Sequence, residues 1–121
     1  DPNSSQCYLL RGNAYKKLKQ YDMAISDYSA AIMIDQNYKD YYKYRADAYF
    51  ELEQYDKAVS DYSMAIGLEP NYPMAYKNRG LAYYCLDKID LAKKDFEKFL
   101  SLVPEDDQTA VQIKKFLNSL E

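Results

Sequence analysis

The hydrophobic and polar positions follow two alternating helical patterns. From Lys39 to Leu52, Tyr42, Arg45, Ala46 and Tyr49 recur at +3, +4 and +7, the spacing of one helix face. A break follows at Glu53-Gln54-Tyr55. Ala58, Tyr62, Ala65 and Ile66 then recur at +4, +7 and +8, predicting a second helix that Pro70-Asn71 ends. Asp56 suits the start of that helix, where a carboxylate can cap free N–H groups and face the positive end of the dipole.

At an offset of 34 residues the sequence matches itself without a gap. Tyr8, Arg11, Ala14-Tyr15, Leu18, Gln20-Tyr21-Asp22, Ala24 and Ser26-Asp27-Tyr28-Ser29 recur as Tyr42, Arg45, Ala48-Tyr49, Leu52, Gln54-Tyr55-Asp56, Ala58 and Ser60-Asp61-Tyr62-Ser63. A third copy keeps Tyr76, Arg79, Ala82-Tyr83, Leu86, Asp90, Ala92, Asp95, Leu102 and Pro104. The units are 5–38, 39–72 and 73–106. Each predicts a helix–turn–helix, and residues 107–121 predict one closing helix with a stripe of Ala110, Ile113, Phe116, Leu117 and Leu120. Residues 1–4 resemble the end of a preceding unit, Asp1-Pro2-Asn3 echoing Glu69-Pro70-Asn71. Further repeats or another domain are therefore expected before Asp1.

Small residues recur beside large ones. Gly12, Ala46 and Gly80 share a slot on the first helix, and Ala24, Ala58 and Ala92 share one on the second. Small slots let helices approach while tyrosines fill the space beside them, and a single hairpin cannot bury both faces, so neighbours must stack. Arg11, Arg45 and Arg79 form one repeated set, Asp27, Asp61 and Asp95 another. They predict guanidinium–carboxylate pairs within each hairpin or between neighbours. Asp22, Asp56 and Asp90 are read as caps.

The pattern resembles the tetratricopeptide repeat. It runs Tyr8-x2-Arg11-Gly12-x2-Tyr15…Ala24-x3-Tyr28, then Tyr42-x2-Arg45-Ala46-x2-Tyr49…Ala58-x3-Tyr62…Pro70, then Tyr76-x2-Arg79-Gly80-x2-Tyr83…Ala92-x3-Phe96…Pro104. The resemblance implies an all-α, right-handed solenoid of helical hairpins, seven helices here, with a capping helix. Three departures stand out. Gln36 replaces the proline of copy one and predicts a softer turn. Phe99 sits where copies one and two carry Ala31 and Ala65 and predicts a wider last interface. Ile89 replaces Tyr21 and Tyr55.

The resemblance also implies a protein or peptide partner held on the concave face made by the first helices. Slot by slot, that face carries Leu9, Asn13, Lys16 and Lys17, then Asp40, Lys43, Tyr44, Asp47 and Phe50, then Met74, Lys77, Asn78, Leu81 and Tyr84, and finally Gln108, Val111, Gln112 and Lys115. The contact set expected is Asn13, Lys43, Tyr44, Asp47, Phe50, Lys77, Asn78, Leu81 and Tyr84. The apolar Phe50, Leu81 and Tyr84 lead it, because apolar residues off a packing face need a reason. Some family members hold acidic chaperone tails with a clamp of Lys, Asn, Asn, Lys and Arg. Those slots here carry Leu9, Asn13, Tyr44, Met74 and Asn78, of which only Asn13 matches; shifted by one repeat they carry Lys43, Asp47, Asn78, Gln108 and Gln112, of which only Lys43 and Asn78 match, so clamp-type binding is not expected.

Composition narrows the alternatives. The chain has 121 residues, a net charge of −3 and no histidine. The acidic balance speaks against a nucleic-acid binder, leaving RNA readout a remote alternative, and the missing histidine removes the commonest general base and metal ligand. With no phosphate loop, paired-cysteine motif or nucleophile elbow, neither an enzyme nor a cofactor is expected. Of 15 tyrosines, ten fall on template slots and two, Tyr38 and Tyr72, share an inter-repeat slot; Tyr41, Tyr44 and Tyr84 are off pattern. Cys7 and Cys85 read as buried or half-buried thiols outside any disulfide, consistent with a reducing, cytoplasmic setting. No apolar run approaches the roughly 20 residues of a membrane span. A structural spacer or self-association segment of a longer array is the alternative to a peptide receptor, and a monomer or weak self-association is expected.

Overall fold

The computed structural model describes residues 4–121. The echo of an inter-repeat turn at Asp1-Pro2-Asn3 lies outside them. Seven α-helices follow in order: α1 (Ser5–Lys17), α2 (Tyr21–Ile34), α3 (Lys39–Glu51), α4 (Tyr55–Leu68), α5 (Pro73–Cys85), α6 (Ile89–Leu102) and α7 (Gln108–Ser119). The first six pair as three antiparallel hairpins, and the second helix of each packs on the first helix of the next. The first helices α1, α3 and α5 also approach one another, whereas no such approach joins α2, α4 and α6 among the described residues. The stack therefore curves, with α1, α3 and α5 on the inner side.

Each hairpin turns the same way. Lys19, Glu53 and Asp87 take φ of 61°, 59° and 61°, the left-handed region. In the first turn the Lys19 amide donates to the Lys16 carbonyl and the Gln20 amide to the Tyr15 carbonyl, each at 2.9 Å. Glu53 and Gln54, and then Asp87 and Lys88, make the same pair of bonds. This closure satisfies carbonyls that the helix end would leave bare, and glycine is the residue best suited to its left-handed position.

The next helix starts without the cap expected from sequence. Gln20, Gln54 and Lys88 precede the first turns, and none of them makes a side-chain capping bond. Asp22, Asp56 and Asp90 are the second residues of their helices, two positions past the one that caps. They act through the dipole alone. True side-chain caps occur at Ser4, which accepts from the Cys7 amide at 3.2 Å, and at Asp107, which accepts from the Ala110 amide at 3.0 Å.

The Gln36 turn keeps the geometry of its proline counterpart. Tyr42 Oη donates to the Gln36 carbonyl at 3.0 Å, as Tyr76 Oη does to the Pro70 carbonyl at 2.8 Å. The Asn37 amide reaches Asp35 Oδ1, and the Asn71 amide reaches Glu69 Oε1, both at 3.1 Å. Tyrosine and carboxylate hold both turns alike without the fixed φ of a proline.

The core follows the small-and-large scheme. Ala24, Ala31, Ala46, Ala48, Ala58, Ala65, Ala75, Ala82 and Ala92 are inaccessible, and Tyr28, Tyr62 and Phe96 are the largest side chains buried among them. A β-carbon built on Gly12 would meet Tyr28 Cε1 at 2.8 Å, and one on Gly80 would meet Phe96 Cε1 at 2.7 Å. These are the glycines that close approach requires. Tyr41, off the template, is buried with Leu9, Ala24, Tyr28, Ala31 and Ala48. Its counterpart in copy three is Ala75, so copy two fills with a ring what copy three leaves to a methyl. Phe99 is buried, and Phe116 of α7 meets Phe96 of α6 edge-on with ring centroids 5.8 Å apart.

Candidate functional site

The arginine–aspartate sets meet inside each hairpin. Nε of Arg11, Arg45 and Arg79 donates to Oδ2 of Asp27, Asp61 and Asp95 at 2.7–2.8 Å, and Nη2 donates to Oδ1 at 2.7–2.8 Å. Arg45 and Arg79 also reach backward, Nη1 donating to Ser29 Oγ and Ser63 Oγ at 3.0 Å. Each interior arginine thus ties three helices together. Its carboxylate partner, chiefly through these hydrogen bonds, raises the guanidinium pKa further above its ordinary range. All three aspartates are buried, so the pairs belong to the scaffold rather than to a site.

The inner face is different. Asp47 collects three donors: the Tyr62 hydroxyl, Asn78 Nδ2 at 3.2 Å and Lys43 Nζ at 2.8 Å. Asn13 Oδ1 accepts from Tyr28 Oη at 2.5 Å, and Asp40 Oδ1 accepts from Tyr72 Oη at 2.7 Å. Copies one and two thus set a tyrosine hydroxyl against an acceptor on the first helix. Copy three replaces both members together, with Phe96 for the tyrosine and Leu81 for the acceptor. Burial is the first cause of the raised pKa of Tyr28, Tyr62 and Tyr72, and negative carboxylates beside them add to it.

A cavity of about 420 Å³ opens on this face, lined by Lys16, Tyr21, Asp47, Phe50, Glu51, Tyr62, Asn78 and Leu81. It brings together four of the residues expected from sequence: Asp47, Phe50, Asn78 and Leu81. A second hollow of about 490 Å³ gathers Asn13 and Tyr44 with Leu10, Ala14, Lys16 and Lys17. Lys77 and Tyr84 line neither. Tyr84 instead meets Phe116 of α7 edge-on, with centroids 5.1 Å apart, and Phe50 meets Tyr55 in the same manner at 5.1 Å. Tyr44 stacks on Tyr28 at 5.9 Å. Leu81 makes no such ring contact, is 41% exposed and lines the cavity. Leu9, offered by the slot scheme as a groove residue, is a core residue instead. Its position falls between the inner face and α2, and an aliphatic chain turns to the dry side. Tyr21, Glu51 and Tyr62 line the cavity although sequence reasoning assigned the tyrosines to packing and did not single out Glu51.

Three lysines mark the face. Lys43 is tied to Asp47, and Lys16 Nζ lies 4.7 Å from the centroid of Tyr44, on which Lys43 also rests at 5.0 Å. Lys77 is half-buried and makes no salt bridge or hydrogen bond among the described residues. Burial is the first cause of the lowered pKa of Lys16 and of Lys77; repulsion from Lys43 adds to it in both, while attraction to Asp47 opposes it in both and attraction to Asp107 opposes it at Lys77. Lys77 has no hydrogen-bond acceptor among the described residues, and its partly buried charge is compensated only by the more distant carboxylates of Asp47 and Asp107. Among the described residues no cluster could hold a metal ion, and no helix is long and apolar enough to cross a membrane.

A curved stack of helical hairpins, its scaffold locked by repeated ion pairs and its inner face open, polar and unlike from copy to copy, defines a protein-interaction scaffold. Comparison with known proteins gives it a family. Residues 45–118 match one model described as tetratricopeptide repeat, and residues 5–38 match another. The chain belongs to the tetratricopeptide-repeat family. The first such domain of Spaghetti (RPAP3), bound to the HSP90 peptide SRMEEVD, is 33% identical over 99% of this chain and 95% of its own, with a TM-score of 0.88. The Arabidopsis OM64 domain is 31% identical over 98% and 97%, with a TM-score of 0.90. The second domain of human RPAP3, in complex with the HSP70 peptide SGPTIEEVD, is 32% identical over 93% and 97%, with a TM-score of 0.82. No curated protein sequence matches.

Proposed function

We propose that the inner face receives a segment of a partner protein, seating an aliphatic side chain against Phe50 and Leu81 and a side-chain carboxylate beside Lys77. The observation that carries this reading is an open, part-apolar cavity lined by Phe50 and Leu81, with Lys77 four residues before Leu81 on α5, half-buried and making no salt bridge or hydrogen bond among the described residues. An incoming carboxylate would give Lys77 the charge-assisted bond it lacks. Similar domains bind the acidic peptides SRMEEVD and SGPTIEEVD. The carboxylate clamp is not the means proposed here. Leu9 is in the core, Tyr44 is stacked on Tyr28, Met74 is uncharged, and Asn13 and Asn78 are engaged with Tyr28 and Asp47.

The two modes differ in one requirement. A clamp grips a free C-terminal carboxylate, whereas the proposed site grips side chains. Peptides selected on this protein should bind equally as free acids and as C-terminal amides in calorimetry. Loss of binding on amidation would restore the clamp.

A further inference from the structure

The outward face of α1 repeats the face by which α3 and α5 join the stack. In the interior, Arg45 and Arg79 donate to a serine of the preceding helix, and Ala48 and Ala82 are inaccessible. Arg11 and Ala14 hold the same slots in α1. Arg11 keeps both bonds to Asp27, yet its side chain is 61% exposed against 21% and 18% for Arg45 and Arg79. Ala14 is exposed, and Leu18 is 67% exposed where Leu52 and Leu86 are half-buried. Exposed Leu10 and Ala14 continue this surface into the second hollow of the groove.

The other end of the stack is not built this way. On α7, Ile113 stands in the arginine slot and Lys114 in the small-residue slot. On α6, Lys93 and Glu97 replace the aliphatic and serine positions that α2 fills with Ile25 and Ser29 and α4 with Val59 and Ser63. One end has given up the stacking template and the other has kept it, down to the arginine.

We infer that the open face of α1 docks the second helix of a further hairpin of this same 34-residue kind. The helix it fits carries an aliphatic residue, a serine four positions on and an isoleucine three beyond that. That is the pattern Ile25, Ser29, Ile32 with which α2 meets α3, and Val59, Ser63, Ile66 with which α4 meets α5. The serine accepts from Arg11 Nη1, and the aliphatic pair covers Ala14 and Leu18. A second copy of this chain presents no such helix, because its α2 and α4 are covered by α3 and α5. The docking is independent of what the groove binds.

The test places a copy of residues 5–38 directly before Ser5, in place of residues 1–4, which keeps the 34-residue spacing. The expected result is a higher melting temperature and amide exchange slowed by about tenfold or more across α1. Lysine in place of the serine of the added helix should reverse both. An added hairpin that stays unfolded, or α1 exchange that does not change, would overturn the inference. In the original chain, Leu18→Lys should leave the melting temperature unchanged, whereas in the extended chain it should lower it. A drop in the original chain, or a mass that doubles with concentration in light scattering, would show that something else already covers this face and would equally overturn it.

Discussion

At the scale of the residue, burial and partnership decide which side chains build the fold and which keep surface or charge free of it. Asp61 is buried and fully engaged with Arg45, so removing the guanidinium strands a charge. Arg45→Ala should cost about 3–5 kcal/mol in urea denaturation, the usual penalty for breaking a buried pair from one side. Arg11→Ala should cost distinctly less, since that arginine is largely exposed and bridges no third helix. The buried tyrosines set a limit at high pH. The folded state raises the pKa of Tyr28, Tyr62 and Tyr72 above that of the unfolded chain. Their contribution is complete below the unfolded tyrosine value of about 10 and is lost as pH rises from there towards the folded values. Ultraviolet titration should show these phenols ionising only together with unfolding. Free ionisation before helicity is lost would contradict their burial. Residue identities alone did not disclose the hydroxyl–acceptor pairs of Tyr28 with Asn13 and Tyr62 with Asp47. The joint exchange to Phe96 and Leu81 was nevertheless visible in the alignment of the copies.

At the scale of the element, the hairpin turns carry a strain the chain could shed. Lys19, Glu53 and Asp87 occupy a left-handed conformation that costs a side-chain-bearing residue roughly 1–2 kcal/mol, while glycine gives back about 0.5–1 kcal/mol in unfolded-state entropy. Glu53→Gly should therefore stabilise by up to about 1 kcal/mol, raising the melting temperature by a few degrees. A fall would mean that the Glu53 side chain serves the turn in some other way. The helices and their pairing were legible because apolar spacing and a 34-residue offset are properties of the sequence itself. The starts of α2, α4 and α6 were not. Asp22, Asp56 and Asp90 look like caps, but the tight closure at the preceding turn brings the helix in two residues earlier than such caps would, at Tyr21, Tyr55 and Ile89. Tyr41 escaped for a related reason. Its slot holds Cys7 and Ala75 in the other copies, and a template drawn from what repeats is blind to what differs.

At the scale of the whole molecule, curvature turns three first helices into a surface. The same three-copy comparison that reveals the scaffold by identity marks the groove by variety. Slots that face α2, α4 and α6 keep Arg, Ala and Tyr, while inner slots run Asn13, Asp47, Leu81 and Lys16, Phe50, Tyr84. Variety alone could not separate ligand contacts from local packing. In the structure Phe50 and Tyr84 pack against Tyr55 and Phe116, while Leu81 is exposed and Lys77 makes no salt bridge or hydrogen bond among the described residues. Changing those two should leave the fold intact, which a change at Phe50 or Tyr84 would not ensure.

The central claim is that the inner face captures a partner segment through Leu81 and Lys77. The most direct measurement is selection from a peptide-display library on this protein and, in parallel, on a Leu81→Asp/Lys77→Glu variant of equal helicity and melting temperature. The account predicts peptides in which an aliphatic residue lies near an acidic one, enriched on the first protein and absent on the second. Enrichment of the same peptides on both proteins, or of none on either, would contradict it.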